Sequence, residues 1–195
     1  MDFLFDDYIK TKRVYHIVSL RDLDYILEKG IHYNDKVTYN TKYKGFHDYI
    51  DDFKTNNIPD WVERKKAIFA SLNFEKNHYF HSHSAVLSIK INEDMCWVAN
   101  ENLANKIYEP FVLKGIYGFE FCNNFLNNKG KEILKEYWNS SLSFKENLIL
   151  RKDLEKGYDA EVLIFHHIPK DDIEVLYICS DHEMMSLEEF KKFFS

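Results

Sequence analysis

Arg13-Val-Tyr-His-Ile-Val-Ser19 runs directly into Leu20-Arg-Asp-Leu-Asp-Tyr-Ile-Leu-Glu-Lys-Gly30. The first segment alternates, with Val14, His16 and Val18 on one side and Tyr15 and Ile17 on the other, which is the period of a strand. Ser19 opens Ser-Leu-Arg-Asp, a capping-box-like helix start with an acidic residue at the third helical position. Leu20, Leu23, Ile26 and Leu27 then form an apolar stripe, and Gly30 is a natural helix stop. This strand-helix unit places His16 close to a helix N-terminus, where free N–H groups and partial positive charge favour anionic ligands.

A second informative stretch lies far downstream. Asp159-Ala-Glu-Val-Leu-Ile-Phe165 is followed by Ile168-Pro169 and by Ile173-Glu-Val-Leu-Tyr-Ile178. Glu161 stands at the entry to an apolar strand. It is either a solvated strand-start charge or a carboxylate turned into a cleft. In a cleft, such a group stabilises positive charge on a sugar as a glycosidic bond breaks. His16 has its own plain alternative, a core histidine hydrogen-bonded to backbone. An early strand histidine and a late strand-start glutamate together suggest a nucleotide-handling cleft.

Between these stretches the pattern predicts a mixed α+β domain. Residues 31 to 60 are polar and aromatic and predict a long loop with a helix near 46 to 56, flanking a site. A short helix is expected at 60 to 66, capped by Asp60, and a buried strand over Ala67–Ser71. Ala85, Leu87, Ile89 and Ile91 share one face of another strand. Helices are expected at 100 to 108 and 128 to 138, and strands at 161 to 167 and 173 to 179. Ser186-Leu-Glu-Glu starts a last helix that should bury Leu187, Phe190 and Phe194. Three prolines and six glycines in 195 residues leave no linker, so the whole chain, 1–195, reads as one domain.

The bulk numbers narrow the classes. The chain is 45% hydrophobic and 16% aromatic, with 13 Tyr and 16 Phe, enough for a large core. Net charge is −6, which disfavours a broad nucleic-acid footprint, although Lys12, Arg13, Arg64, Lys65 and Lys66 could form a small basic groove. Cys96, Cys122 and Cys179 are odd in number and widely spaced, which points to reduced, buried thiols in a cytoplasm. The acidic N-terminus lacks the order of a signal peptide, and no apolar run reaches membrane-spanning length. Walker, Rossmann, nucleophile-elbow and zincin motifs do not occur. His78, His81 and His83 form His-x-x-His-x-His, which could bind zinc but reads more simply as exposed loop histidines. Tyr137-Trp138 reads as core packing.

Tyr15-His16 with the following helix to Gly30-Ile31, and the later Ala160-Glu-Val-Leu-Ile164 pattern with its Ile-Pro and final strand, resemble motifs of the ADP-ribosyltransferase superfamily. The late pattern looks most like the DarT-like toxins that modify nucleic acid. The resemblance implies a split, mostly antiparallel β core binding NAD, and an NAD-dependent glycosyl transfer to a nucleic-acid or protein acceptor, as in a toxin or phage-defence effector. On the same terms Glu161 matches the catalytic glutamate, and His16, beside Tyr15, matches the residue that bonds the adenosine ribose. Ser71 matches the middle-motif position. Among the four arginines, Arg64 or Arg13 is the phosphate candidate, because a guanidinium pairs with phosphate bidentately. Val18 stands two residues after His16, Asp159 two before Glu161, and no aromatic-proline segment follows the central strand. No metal is implied. The alternatives are a non-catalytic interaction protein on the same fold, or a metal-dependent phosphodiesterase built on His78, His81 and His83.

Overall fold

A computed structural model describes residues 2–33, 43–181 and 183–195. The part of the expected 31–60 loop that spans 34–42 lies outside the described residues. The chain forms one eight-stranded antiparallel sheet with helices on both sides, an α+β architecture. Strands β1 (Val14–Ser19), β2 (Ile68–Ser71), β3 (Ser84–Ile89), β4 (Cys96–Asn100), β5 (Leu142–Ser143), β6 (Ala160–Ile164), β7 (Ile173–Ser180) and β8 (Glu183–Ser186) are ordered β5-β4-β6-β2-β1-β3-β7-β8.

The opening stretch folds as its pattern dictates. β1 leads into a helix at Leu20–Lys29, whose N-cap Ser19 accepts from the Arg21 N–H. Gly30 ends that helix at φ +84°, and a Cβ there would stand 2.2 Å from the Ile168 carbonyl oxygen. Only glycine fits both the positive φ and that approach. Ile31 and Ile168 then exchange backbone hydrogen bonds, at 2.9 and 3.1 Å, tying the end of the helix to the segment after β6.

Period-two alternation divides the core. Val14, Val18, Ile68, Ala70, Leu87, Val98, Val162 and Ile164 belong to one aliphatic cluster, covered by Ile26 of the first long helix and by Phe144. Phe69, Trp97, Ala99 and Leu163 belong to a second cluster. Helices at Lys44–Asp51, Glu101–Leu113 and Lys131–Ser140 cover it with Phe46, Ile50, Leu103, Ile107, Leu134, Tyr137 and Trp138. A third cluster holds Tyr15, Phe74, Phe80 and Val86, and Phe5 stacks on Tyr15 at 3.9 Å.

The sheet is weakest between β1 and β2. β1 matches β3 over six residues and β2 matches β6 over four, yet β1 and β2 share the single pair Tyr15↔Ser71. The His16 ring bridges this seam, its Nδ1–H donating to the Phe69 carbonyl. A side chain thus satisfies a strand carbonyl beside a ladder reduced to one pair.

Several expectations are corrected. β4 lies where no strand is expected, because all five of its residues are buried and the run Cys96-Trp-Val-Ala99 before Asn100 has no alternation to betray it. The helix expected near 46 to 56 spans Lys44–Asp51. Only a 3-10 turn, Arg64–Lys66, forms within the helix expected at 60 to 66. The last helix, Leu187–Phe193, has its Ser186–Glu189 capping box but buries nothing fully, and Phe194 is 70% exposed. The three cysteines are free and buried. Among the described residues no helix is long and apolar enough to cross a membrane.

Candidate functional site

Strand register gathers three residues from distant parts of the chain. Ala99 of β4 lies opposite Glu161 of β6, Glu161 opposite Ser71 of β2, and Ser71 opposite Tyr15 of β1. Residues in one cross-strand row share a face of the sheet. Tyr15, Ser71 and Glu161 therefore form one line across the seam. By strand alternation His16 belongs to the other face, and its ring reaches the seam as described.

Glu161 is only 3% exposed, so it is no solvated strand-start charge. Arg64, 4% exposed, makes an ion pair with it through Nη1. Tyr137 Oη donates to Glu161 Oε1 at 2.8 Å and accepts from Arg64 Nη1. Arg64 Nε donates to His47 Nδ1 at 3.1 Å, and the guanidinium lies 4.8 Å from the Phe69 ring centre. Arg64 is thus engaged inside the protein with the carboxylate, and as placed it offers no open phosphate fork. Its own backbone N–H, with that of Lys65, donates to the Asp51 carboxylate, which fixes the turn against the helix Lys44–Asp51. Burial, then the Arg64 charge, push His47 down to about 2, so it is neutral and accepts through Nδ1.

A cleft of about 430 Å³ opens at the end of the sheet where β2 stops and β6 begins. Ser71, Ala160, Asp159, Glu101, His78 and Arg151 are among the residues that line it. Glu101 begins its helix directly after β4, and its N–H donates to the Asp159 carbonyl at 2.8 Å. Burial first, then the charges of Glu161 and Asp159, push the Glu101 carboxyl up to about 7, against the pull of Arg64. Asp159 is also raised, by burial first and by Glu161 among its neighbours, with His78 opposing. A carboxyl that titrates near neutrality beside a buried carboxylate has the pairing needed for proton transfer.

The other sequence candidates are dispersed. Arg13 donates to the Asp172 carbonyl at 3.1 Å, Arg21 is exposed, and Arg151 is held by Asp7 and Asp153. Lys12, Lys65 and Lys66 face Glu93, Asp48 and Glu63, so the basic residues gather into no shared groove. His78, His81 and His83 are exposed, and among the described residues no group of three His, Cys, Asp or Glu side chains is placed to hold a metal ion. The phosphodiesterase alternative therefore finds no centre among them.

Sequence reading did not single out Glu101, Tyr137 or His47 as site residues. Asn100-Glu101 could have been noticed as a helix start with an acidic first turn, but nothing local says that a carboxylate from β6 lies alongside. Comparison with protein-family profiles, with curated proteins and with solved structures returns no match.

Proposed function

We propose that the protein is an ADP-ribosyltransferase-like enzyme that cleaves the nicotinamide glycosidic bond of NAD and passes ADP-ribose to a nucleic-acid or protein acceptor. The observation that carries this reading is the Tyr15–Ser71–Glu161 row. Three residues singled out by a resemblance in separate segments stand in one line, and that line crosses the single-pair seam between β1 and β2. His16 bridges that same seam.

In this reading Glu161 supplies negative charge toward the sugar as nicotinamide leaves. Tyr137 and Arg64 orient that carboxylate. Glu101, at the cleft, takes the proton from the acceptor nucleophile; its titration near neutrality suits that task. Ser71 lines the cleft beside the row and is a hydroxyl contact for the substrate.

The test is incubation with NAD, alone and with single-stranded DNA, RNA or lysate protein, followed by measurement of free nicotinamide. Release is expected, and Glu161→Gln, which keeps the side-chain shape but leaves the Arg64 charge buried without its partner, should lower it by at least a hundredfold while a cooperative thermal transition remains, shifted to lower temperature. No release with any acceptor would overturn the reading.

One observation favours a second reading, a non-catalytic interaction protein on the same fold. Glu161 is sealed by Arg64 and Tyr137 at 3% exposure, as a structural ion pair would be. In that case Glu161→Gln alters stability alone.

A further inference from the structure

A second cleft, of about 400 Å³, lies at the opposite end of β2 and β6 from the acidic one. Its floor is apolar, made by Ile68, Ile164 and Met95. Two ring pairs stand around it. Trp61 meets Phe165 edge-on at 5.3 Å, and His32 stacks on His167 at 3.9 Å. Trp61 is 40% exposed, whereas Trp97 and Trp138 are buried. Among the described residues this indole, above an apolar floor, has only edge-on ring neighbours, Phe165 and Trp97, which leaves its face as a stacking surface.

The polar edge of this cleft is fixed by hydrogen bonding. His167 Nε2–H donates to the Lys29 carbonyl at 3.3 Å, so Nδ1 is the acceptor nitrogen. Among the described residues no hydrogen bond is made to that Nδ1. His166 next to it is saturated, donating from Nδ1 to the His167 carbonyl and accepting the Asn92 N–H at Nε2, 3.0 Å away. The imidazole pair is held from behind by the Gly30 approach and the Ile31–Ile168 bridge. The edge is therefore preorganised. At the rim, Lys66 is paired with Glu63 at 2.8 Å, so among the described lining residues no unpaired lysine or arginine meets a phosphate.

We propose that this cleft binds a purine ring, as the neutral nucleoside. The ring stacks against Trp61 and places an N–H donor on His167 Nδ1. An apolar floor, an exposed indole and an acceptor nitrogen on a lining imidazole match a heterocycle that has π-faces and a donor edge. A pyrimidine offers less stacking surface, and a polyphosphate tail meets Glu63 as well as Lys66. The proposal does not depend on NAD cleavage at Glu161.

The experiment is a titration of the full chain with adenosine, guanosine, uridine and ATP, read by Trp fluorescence and by calorimetry. Saturable quenching by a purine nucleoside is expected, at least tenfold tighter than by uridine and no weaker than by ATP. Trp61→Leu should abolish the quenching. His167→Phe, which preserves a stacking ring but removes the acceptor, should weaken purine binding about tenfold while leaving uridine unchanged. Calorimetry checks binding in Trp61→Leu, where the reporter is gone. Absence of saturable heat with both purines, or equal affinity for uridine, would overturn the proposal. Nicotinamide release is measured separately, so purine binding without release sinks the enzyme reading alone, and release without nucleoside binding sinks this one alone.

Discussion

The two faces of the central sheet are built on different physics. One carries Val14, Val18, Ile68, Leu87, Val98, Val162 and Ile164, an aliphatic layer whose stability comes from area removed from water. The other carries Phe69, Trp97, Ala99 and Leu163, and into that layer are set Arg64, Glu161, His47 and Tyr137, all buried. Among the described residues no buried side-chain polar atom lacks a partner, so the charged network is satisfied throughout. Satisfying it does not make it the most stabilising choice, because a buried ion pair roughly breaks even against well-packed apolar residues. The aliphatic face explains why the protein folds. The charged face needs a reason beyond folding, and that contrast argues for a site beside Glu161.

The largest effect should come from splitting the ion pair. Arg64→Met leaves Glu161 buried with only the Tyr137 hydroxyl, at a cost of about 4 kcal/mol in urea denaturation. Adding Glu161→Leu should recover most of that loss. A double variant no better than the single one would show that Arg64 holds the fold through its other contacts, and would remove the contrast. On the aliphatic face, Leu87→Ala should cost about 3 kcal/mol by cavity formation, with no change in how stability depends on pH.

Protonation separates the faces further. Between pH 4.5, the ordinary glutamate value, and about 7, the folded protein holds the Glu101 proton more tightly than the unfolded chain. The Glu101 contribution is thus present below pH 4.5 and lost as pH rises through 7. Glu101→Gln, which mimics the protonated form, should be about 2 kcal/mol more stable than the parent at pH 8, and the gain should vanish near pH 4.5. His47 acts in the opposite sense. With its value lowered from 6.5 to about 2, its contribution is present above pH 6.5 and lost as pH falls toward 2. Stability curves from pH 4 to 8 on the parent and on Glu101→Gln resolve the two limbs. Identical curves would mean that Glu101 is fully solvated. The smallest effect belongs to Tyr137→Phe, about 1 kcal/mol, since it removes one hydroxyl from the network and leaves the ion pair in place.

The two segments that opened the reading were legible for a simple reason. In 13–30 each signal is local: alternation, a serine cap, a helical stripe and a glycine stop all lie within one strand-helix unit. Glu161 was legible as a strand-start carboxylate because the apolar run after it is contiguous. β4 and the short β5 were not legible. The first is buried throughout, with four apolar residues in a row before Asn100, and the second is two residues long. The last helix was misjudged for the opposite reason: its capping box is local and correct, but burial of Phe194 depends on neighbours that the sequence does not name.

By itself, then, the sequence determined the opening strand-helix unit, the α+β composition and the presence of a histidine and a glutamate at strand positions. Only the tertiary structure decided which groups face Glu161. Arg64 lies 97 residues away along the chain, Tyr137 24 residues away, and Glu101 opens the helix that follows the strand paired on its other side. Electrostatic partnership depends on distance through space and on the removal of water, and antiparallel strand order sets both. The same order sets Tyr15, Ser71 and Glu161 in one row, and leaves the aromatic cleft at the far ends of the same strands.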